Sequence, residues 1–114
     1  MSHAIALVQR QLDAYNAHDL EAFLACYAPD VRVETFPGGE PLCLGREAMR
    51  ARYAPLLARP DLHAALVGRL ALGRVVVDQE RVRGLDPARE VDALAIYELG
   101  QGDAALIERV RFVR

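Results

Sequence analysis

Apolar residues recur at two periods along the chain, and the switch between them divides it. From Ser2 to Ala17, Ile5, Val8, Leu12 and Tyr15 keep a three-four spacing that lines one helix face, with Ser2 placed to cap the N-terminus. Asn16-Ala17-His18 interrupts the pattern. Asp19 then caps a second predicted helix, where Leu20, Phe23, Leu24 and Tyr27 repeat at three and four until Pro29 ends it. Asp30 opens a half-buried strand, Val31 to Phe36, with Val31, Val33 and Thr35 on one face and Arg32 and Glu34 on the other. Pro37 to Leu44 carries two prolines and two glycines and reads as a loop. A third helix is expected from about Gly45 to Leu57, its apolar side made of Met49, Tyr53, Leu56 and Leu57, with Pro55 bending or ending it.

Beyond that point the helical spacing stops. Leu62 to Leu72, Arg74 to Gly84, Val91 to Leu99 and Ala105 to Val113 are rich in Val, Leu and Ile and are punctuated by Gly73, Asp86-Pro87 and Gly100-Gln101-Gly102-Asp103. Four consecutive strands joined by short turns imply a curved antiparallel sheet. Three helices followed by a meander make an α+β order, and a bent sheet wrapped around helices leaves a funnel between them. The expected fold is therefore a cone: a curved sheet around three N-terminal helices, with a central cavity.

Length and composition confine this picture to one unit. The 114 residues contain no linker, charge block or repeat, so residues 1–114 read as a single domain. Apolar runs such as Ala64 to Val67 are far shorter than the roughly 20 residues of a membrane span, and no secretory signal is visible after Ser2 and His3. A cytoplasmic protein with no membrane partner is expected. The 14 basic and 16 acidic side chains leave a net charge of -2, and the arginines are scattered, which argues against nucleic acid as a partner. Cys26 and Cys43 have neither metal spacing nor a secretory context and read as reduced thiols.

Absences narrow the chemistry further. The chain has no lysine, so a lysine Schiff base is excluded. Ser2 is its only serine and Thr35 its only threonine, and Ser2 sits at a terminus prone to fray, so a serine-nucleophile hydrolase is not expected. Gly38-Gly39 lacks the strand, helix and lysine of a phosphate loop. His3, His18 and His63 lack ligand spacing, so neither a metal nor another cofactor is expected. Catalysis, where present, falls to carboxylates, tyrosines, arginines, a cysteine or a histidine.

The segment from His18 to Val31, with Asp19, Glu21-Ala22-Phe23, Tyr27-Ala28 and Asp30, resembles the signature of the nuclear transport factor 2-like superfamily. The Gly45-Arg46-Glu47-Ala48 helix start, the Asp78-Gln79-Glu80-Arg81-Val82 strand and the closing segments Ala95–Glu98 and Arg109–Phe112 resemble its steroid delta-isomerase-like and SnoaL-like branches. The resemblance spans nearly the whole chain and implies the cone fold. It hosts isomerases, cyclases, epoxide hydrolases, dehydratases and non-catalytic binders, so the fold does not by itself assign a function.

Residue by residue, the resemblance to ketosteroid isomerases puts Thr35 at the proton-shuttle carboxylate, Gln11 at the oxyanion tyrosine and Ala95 near the protonated Asp, an arrangement otherwise known from that enzyme. Only the supporting tyrosines, Tyr27 and Tyr53, have counterparts, so isomerase chemistry by that route is not expected. The resemblance to limonene-type epoxide hydrolases matches Arg81 but puts Arg83 where the first Asp belongs.

If Thr35 and Ala95 face the cavity as the resemblance implies, strand parity adds Ala93 and Tyr97, and the match on the middle strand adds Gln79 and Arg81, leaving Glu34, Asp78 and Glu80 outward. A buried Arg81 would need a carboxylate, carbonyl or anionic ligand; the alternative is a surface Arg81 paired with Glu80, Glu98 or Glu108. The catalytic candidates are thus Arg81, Tyr53 and Tyr27, with Asp13 nearby. Tyr15, Thr35, Phe36, Gln79, Ala95 and Tyr97 are the expected ligand-binding wall, although Tyr27 and Tyr53 also suit a core role.

Two functions compete. One is acid-base isomerase, hydrolase or cyclase chemistry on a small, mostly apolar or anionic molecule without a cofactor. The other is a non-catalytic ligand-binding or dimerisation module. An acid inside the cavity favours the first. Leu94 and Ile96 alternate with Ala93, Ala95 and Tyr97, so both faces of that strand are apolar, and a homodimer through the outer sheet face is expected.

Overall fold

The computed structural model describes residues 2–113. Helix α1 spans His3–Asn16, and Ser2 caps it as expected, its Oγ accepting from the Ile5 N–H at 3.1 Å. Asp19 does the same for α2, Leu20–Leu24, accepting from Ala22 N–H. Between them His18 adopts φ 60, and its Nδ1 lies 2.8 Å from Leu57 O, so the sharp turn is tied to the end of the third helix. That helix, α3, spans Arg46–Leu57 with Pro55 inside it and Ala58 as its C-cap.

Among the described residues six strands follow the helices or lie among them: β1 Tyr27–Thr35, β2 Pro41–Leu44, β3 His63–Leu72, β4 Val75–Arg83, β5 Val91–Leu99 and β6 Ile107–Val113. They form one curved sheet in the order β2-β1-β6-β5-β4-β3. Every pairing is antiparallel except β1 with β6. The α+β class is as the sequence predicts, with two differences. The Pro37–Leu44 segment is not all loop, because β1 offers its open edge and β2 pairs with it through Arg32 and Leu44 and through Val33 and Cys43. In addition β1 starts at Tyr27, ahead of Pro29, and its ladder with β6 skips irregularly between Tyr27 and Arg32, since a proline has no N–H to give.

The helices cover the concave face. The core joins Leu7, Val8 and Leu12 of α1 and Phe23 and Leu24 of α2 to Met49 and Leu57 of α3 and to the inward side chains of the sheet. Two polar ties fix the helix layer. Asn16 bonds both backbone groups of Ala64 on edge strand β3, giving from Nδ2 at 2.9 Å and accepting at Oδ1 at 2.8 Å. Arg69 of β3 grips Asp78 of β4 with two bonds and reaches Gln9 of α1 with a third, at 2.8 Å. Among the described residues no helix is long and apolar enough to cross a membrane.

Candidate functional site

Where the three helices stand off the sheet, a narrow pocket of about 40 Å³ remains. Its helical wall is Gln11, Leu12 and Tyr15 of α1, Phe23 of α2, and Tyr53 and Leu56 of α3. Strands supply Tyr27, Ala64, Glu80, Val82, Ala93, Tyr97 and Phe112, and Leu85 leans in from the β4–β5 loop. That loop begins at Gly84, where φ is +89 and a Cβ would stand 2.7 Å from Leu62 Cα, so only glycine fits. Arg59 secures it by donating to Gly84 O at 2.8 Å and Leu85 O at 3.3 Å.

Phe23 is the hub of the aromatic wall, with ring centroids 5.0 Å from Tyr27, 5.1 Å from Tyr53 and 5.8 Å from Tyr15, all tilted. Beneath it runs a polar line. The Tyr27 hydroxyl donates to Gln11 Oε1 at 2.8 Å, and Gln11 Nε2 donates to the Tyr97 hydroxyl at 3.1 Å. Both phenols are held well above the usual tyrosine value. Burial is the main cause for each, followed for Tyr97 by the Glu80 and Asp78 carboxyls and for Tyr27 by the neighbouring tyrosines, with Glu80 a smaller contributor. They stay protonated at neutral pH and can act only as neutral hydrogen-bonding groups.

Glu80 is the carboxyl of this pocket. It is 7% exposed and stands opposite Ala93, whose side chain also lines the pocket. Asp78, opposite Ala95, lies on the same inner face but is spent on Arg69.

A family model for the SnoaL-like domain matches residues 8–107. The chain belongs to the SnoaL-like family. This places it in the nuclear transport factor 2-like superfamily, as the solved structures agree. An uncharacterised cystatin-fold protein from Novosphingobium aromaticivorans shares 26% identity over 100% of this chain and 99% of its own, with a TM-score of 0.85. A SnoaL-like protein of unknown function from Burkholderia thailandensis shares 25% over 97% and 93%, with a TM-score of 0.77. In fold alone, a computationally designed 17-OHP binder is also similar, at 21% identity over 100% and 92% and a TM-score of 0.82.

Within this SnoaL-like domain the expected wall is brought together in part. Tyr15, Tyr27, Tyr53, Tyr97 and Ala93 line the pocket. Ala95 faces inward but is wholly buried in the core. Thr35 sits at the end of β1, accepting from Glu40 N–H, and with Phe36 lines a separate outer crevice; Phe36 is 44% exposed, with the Arg111 guanidinium 5.6 Å from its ring. The inward reading of Arg81 and Gln79 is corrected. Both are exposed, and Arg81, its side chain 56% exposed, pairs with Asp92 at 3.1 Å and Glu90 at 3.9 Å. Asp78 and Glu80 take the inner positions instead, because a one-residue change of parity turns every side chain of a strand to the other face. Glu34 does stay on the outer face, between Arg32 and Arg109. Asp13 is exposed and accepts from Gln9 outside the pocket.

Of the polar lining residues, Glu80 was expected to point outward and Gln11 was expected only as the counterpart of the oxyanion tyrosine. The signal for Gln11 is present in the SnoaL-like sequence: it follows Leu7 by four and Val8 by three, so a polar side chain sits inside the apolar arc of α1.

Proposed function

We propose that this domain takes a small, mostly apolar molecule into the pocket and moves a proton on it, with Glu80 as the proton-transferring group. The observation that carries this reading is the buried Glu80 carboxyl on a wall made mostly of leucine, valine, alanine and aromatic rings. An apolar residue there would pack at lower cost, so a carboxyl at the lining suits chemistry or polar recognition. Glu80 would take a proton from a carbon or hydroxyl beside a polarised group and return it at a second position. Tyr97, which accepts from Gln11, still carries its own hydrogen and can donate toward negative charge developing on a ligand oxygen. Tyr27 and Gln11 fix its orientation. The proton-transferring group then comes from β4, not from the Thr35 position.

A domain that binds without turnover is the second reading. The interior of about 40 Å³ is room for a few waters, so on either reading an organic ligand must widen the pocket to enter. The designed 17-OHP binder supports small-molecule binding by this fold. Proton NMR of small cyclic and open-chain ketones in deuterated water separates the two. Solvent-deuterium uptake with the wild-type protein that disappears in Glu80→Gln supports catalysis; ketone binding without uptake supports a binding module; no binding of either kind defeats both.

The same reading includes a homodimer through the outer sheet face, supported by exposed Leu70, Leu72, Val75 and Leu94 there. We place the protein in the cytoplasm on the two unbonded thiols, Cys26 and Cys43.

A further inference from the structure

We propose that Arg52 is an anion anchor at the mouth of the pocket, and that the ligand is an apolar molecule carrying a carboxylate. The inference rests on the reading that the pocket admits a small molecule. Its basis is that α3 lines both the pocket and a crevice adjoining it. Tyr53 and Leu56 face the pocket, while Arg52 and Arg59 lie just outside, in a crevice of about 310 Å³ that shares Tyr53, Leu56 and Leu85 with it. A second crevice of about 240 Å³ also contains Arg52 and shares Phe112 with the pocket. Arg52 is thus the one side chain common to both outer crevices, and each adjoins the apolar interior.

The two arginines at the mouth differ in commitment. Arg59 is occupied by the carbonyls of Gly84 and Leu85. Arg52 is exposed and makes no hydrogen bond or ion pair among the described residues. The sequence explains why. Its neighbours at three and four positions are Ala48, Met49, Pro55 and Leu56, none of them acidic, whereas Arg50 has Glu47 one turn back and Glu21 across on α2. An uncommitted guanidinium can take a carboxylate through two parallel N–H bonds.

Charge also sets the direction of binding. Glu80 lies within the pocket and repels an anionic head, so the carboxylate stays at Arg52 and the hydrocarbon body points inward toward Glu80. The group presented to Glu80 is therefore the end of the molecule remote from its carboxylate.

Calorimetric titration with n-octanoate and with 1-octanol, on wild type and on Arg52→Gln, tests this. Arg52 is exposed and makes no hydrogen bond or ion pair among the described residues, so the variant is expected to keep its fold, which circular dichroism checks. The expected result is that octanoate binds about tenfold more weakly to the variant while octanol binding is unchanged. Equal octanoate affinity in both proteins, with octanol still bound, overturns the anchor and leaves the pocket standing. Binding of neither compound to the wild type overturns the small-molecule reading itself.

Discussion

Arg69 closes on Asp78 with two bonds, Nε to Oδ1 at 2.7 Å and Nη2 to Oδ2 at 2.9 Å, and the Asp78 side chain is wholly buried. Removing one partner strands the other charge in the core, which costs about 3–5 kcal/mol for buried pairs. Arg69→Ala is therefore expected to lower the urea midpoint steeply. The double variant Arg69→Met with Asp78→Leu, which strands no charge, should recover most of the loss.

Gln11 holds Tyr27 and Tyr97 at once, accepting from one and giving to the other. Gln11→Leu keeps the volume but leaves two buried hydroxyls without this partner, each costing about 1–3 kcal/mol if nothing replaces it. Denaturant unfolding should show a loss in that range for Gln11→Leu and a smaller one for Gln11→Leu in a Tyr27→Phe, Tyr97→Phe background. Equal losses in both backgrounds would show that the bridge adds nothing to stability.

The helix layer and the aromatic wall were legible because local signals and packing agree: Ser2 and Asp19 are caps by residue type, and Tyr15, Tyr27 and Tyr53 fall on the apolar faces of predicted helices or close to their ends. Strand β2 was not, because Pro41–Leu44 is four residues long, reaches only the margin of the core through Leu42 and Cys43, and forms by pairing with the edge of β1. The carboxyl in the pocket was hidden for a different reason. Strand β4 carries valines on both faces, Val76 and Val82 inward, Val75 and Val77 outward, so its alternation does not choose a side. Its parity is set by the register with β5, where Glu80 meets Ala93, and the long connection after Gly84 lacks the two-residue turn that would encode that register locally. With the parity inverted, Arg81 stood in for Glu80.

Outer-face electrostatics give a pH prediction. The Arg109 guanidinium, donating to Glu34 Oε1 at 2.8 Å, holds the Glu34 carboxyl below the ordinary glutamate value of 4.5, while burial opposes it and Arg32 and Arg111 assist. The folded state thus binds this proton less readily than the unfolded chain. The contribution is fully present above about pH 4.5 and fades as pH falls through the lower, folded-state value. Glu34→Gln should be less stable than wild type near neutrality, and the difference should shrink as urea midpoints are followed from about pH 6 to about pH 3. A constant difference over that range would contradict the assignment.

The outer face of the sheet makes a prediction about assembly. Across it, Leu70 lies beside Val77 and Val77 beside Ile96, while Leu72 lies beside Val75, so apolar side chains continue over three strands. Leu70 is 76% and Leu72 87% exposed, and both stand on edge strand β3, which has no further strand beside it among the described residues. Apolar area of this kind gains about 25 cal/mol for each Å² removed from water, and in the proposed dimer a second copy presenting the same face would cover it by symmetry. Sedimentation at micromolar concentration should therefore show a dimer for the wild type and a monomer for Leu70→Glu with Leu72→Glu. Since neither side chain touches the core, the variant should unfold at a midpoint that no longer depends on protein concentration, whereas that of the wild type should rise with it. A wild type that sediments as a monomer would leave this face to some other role.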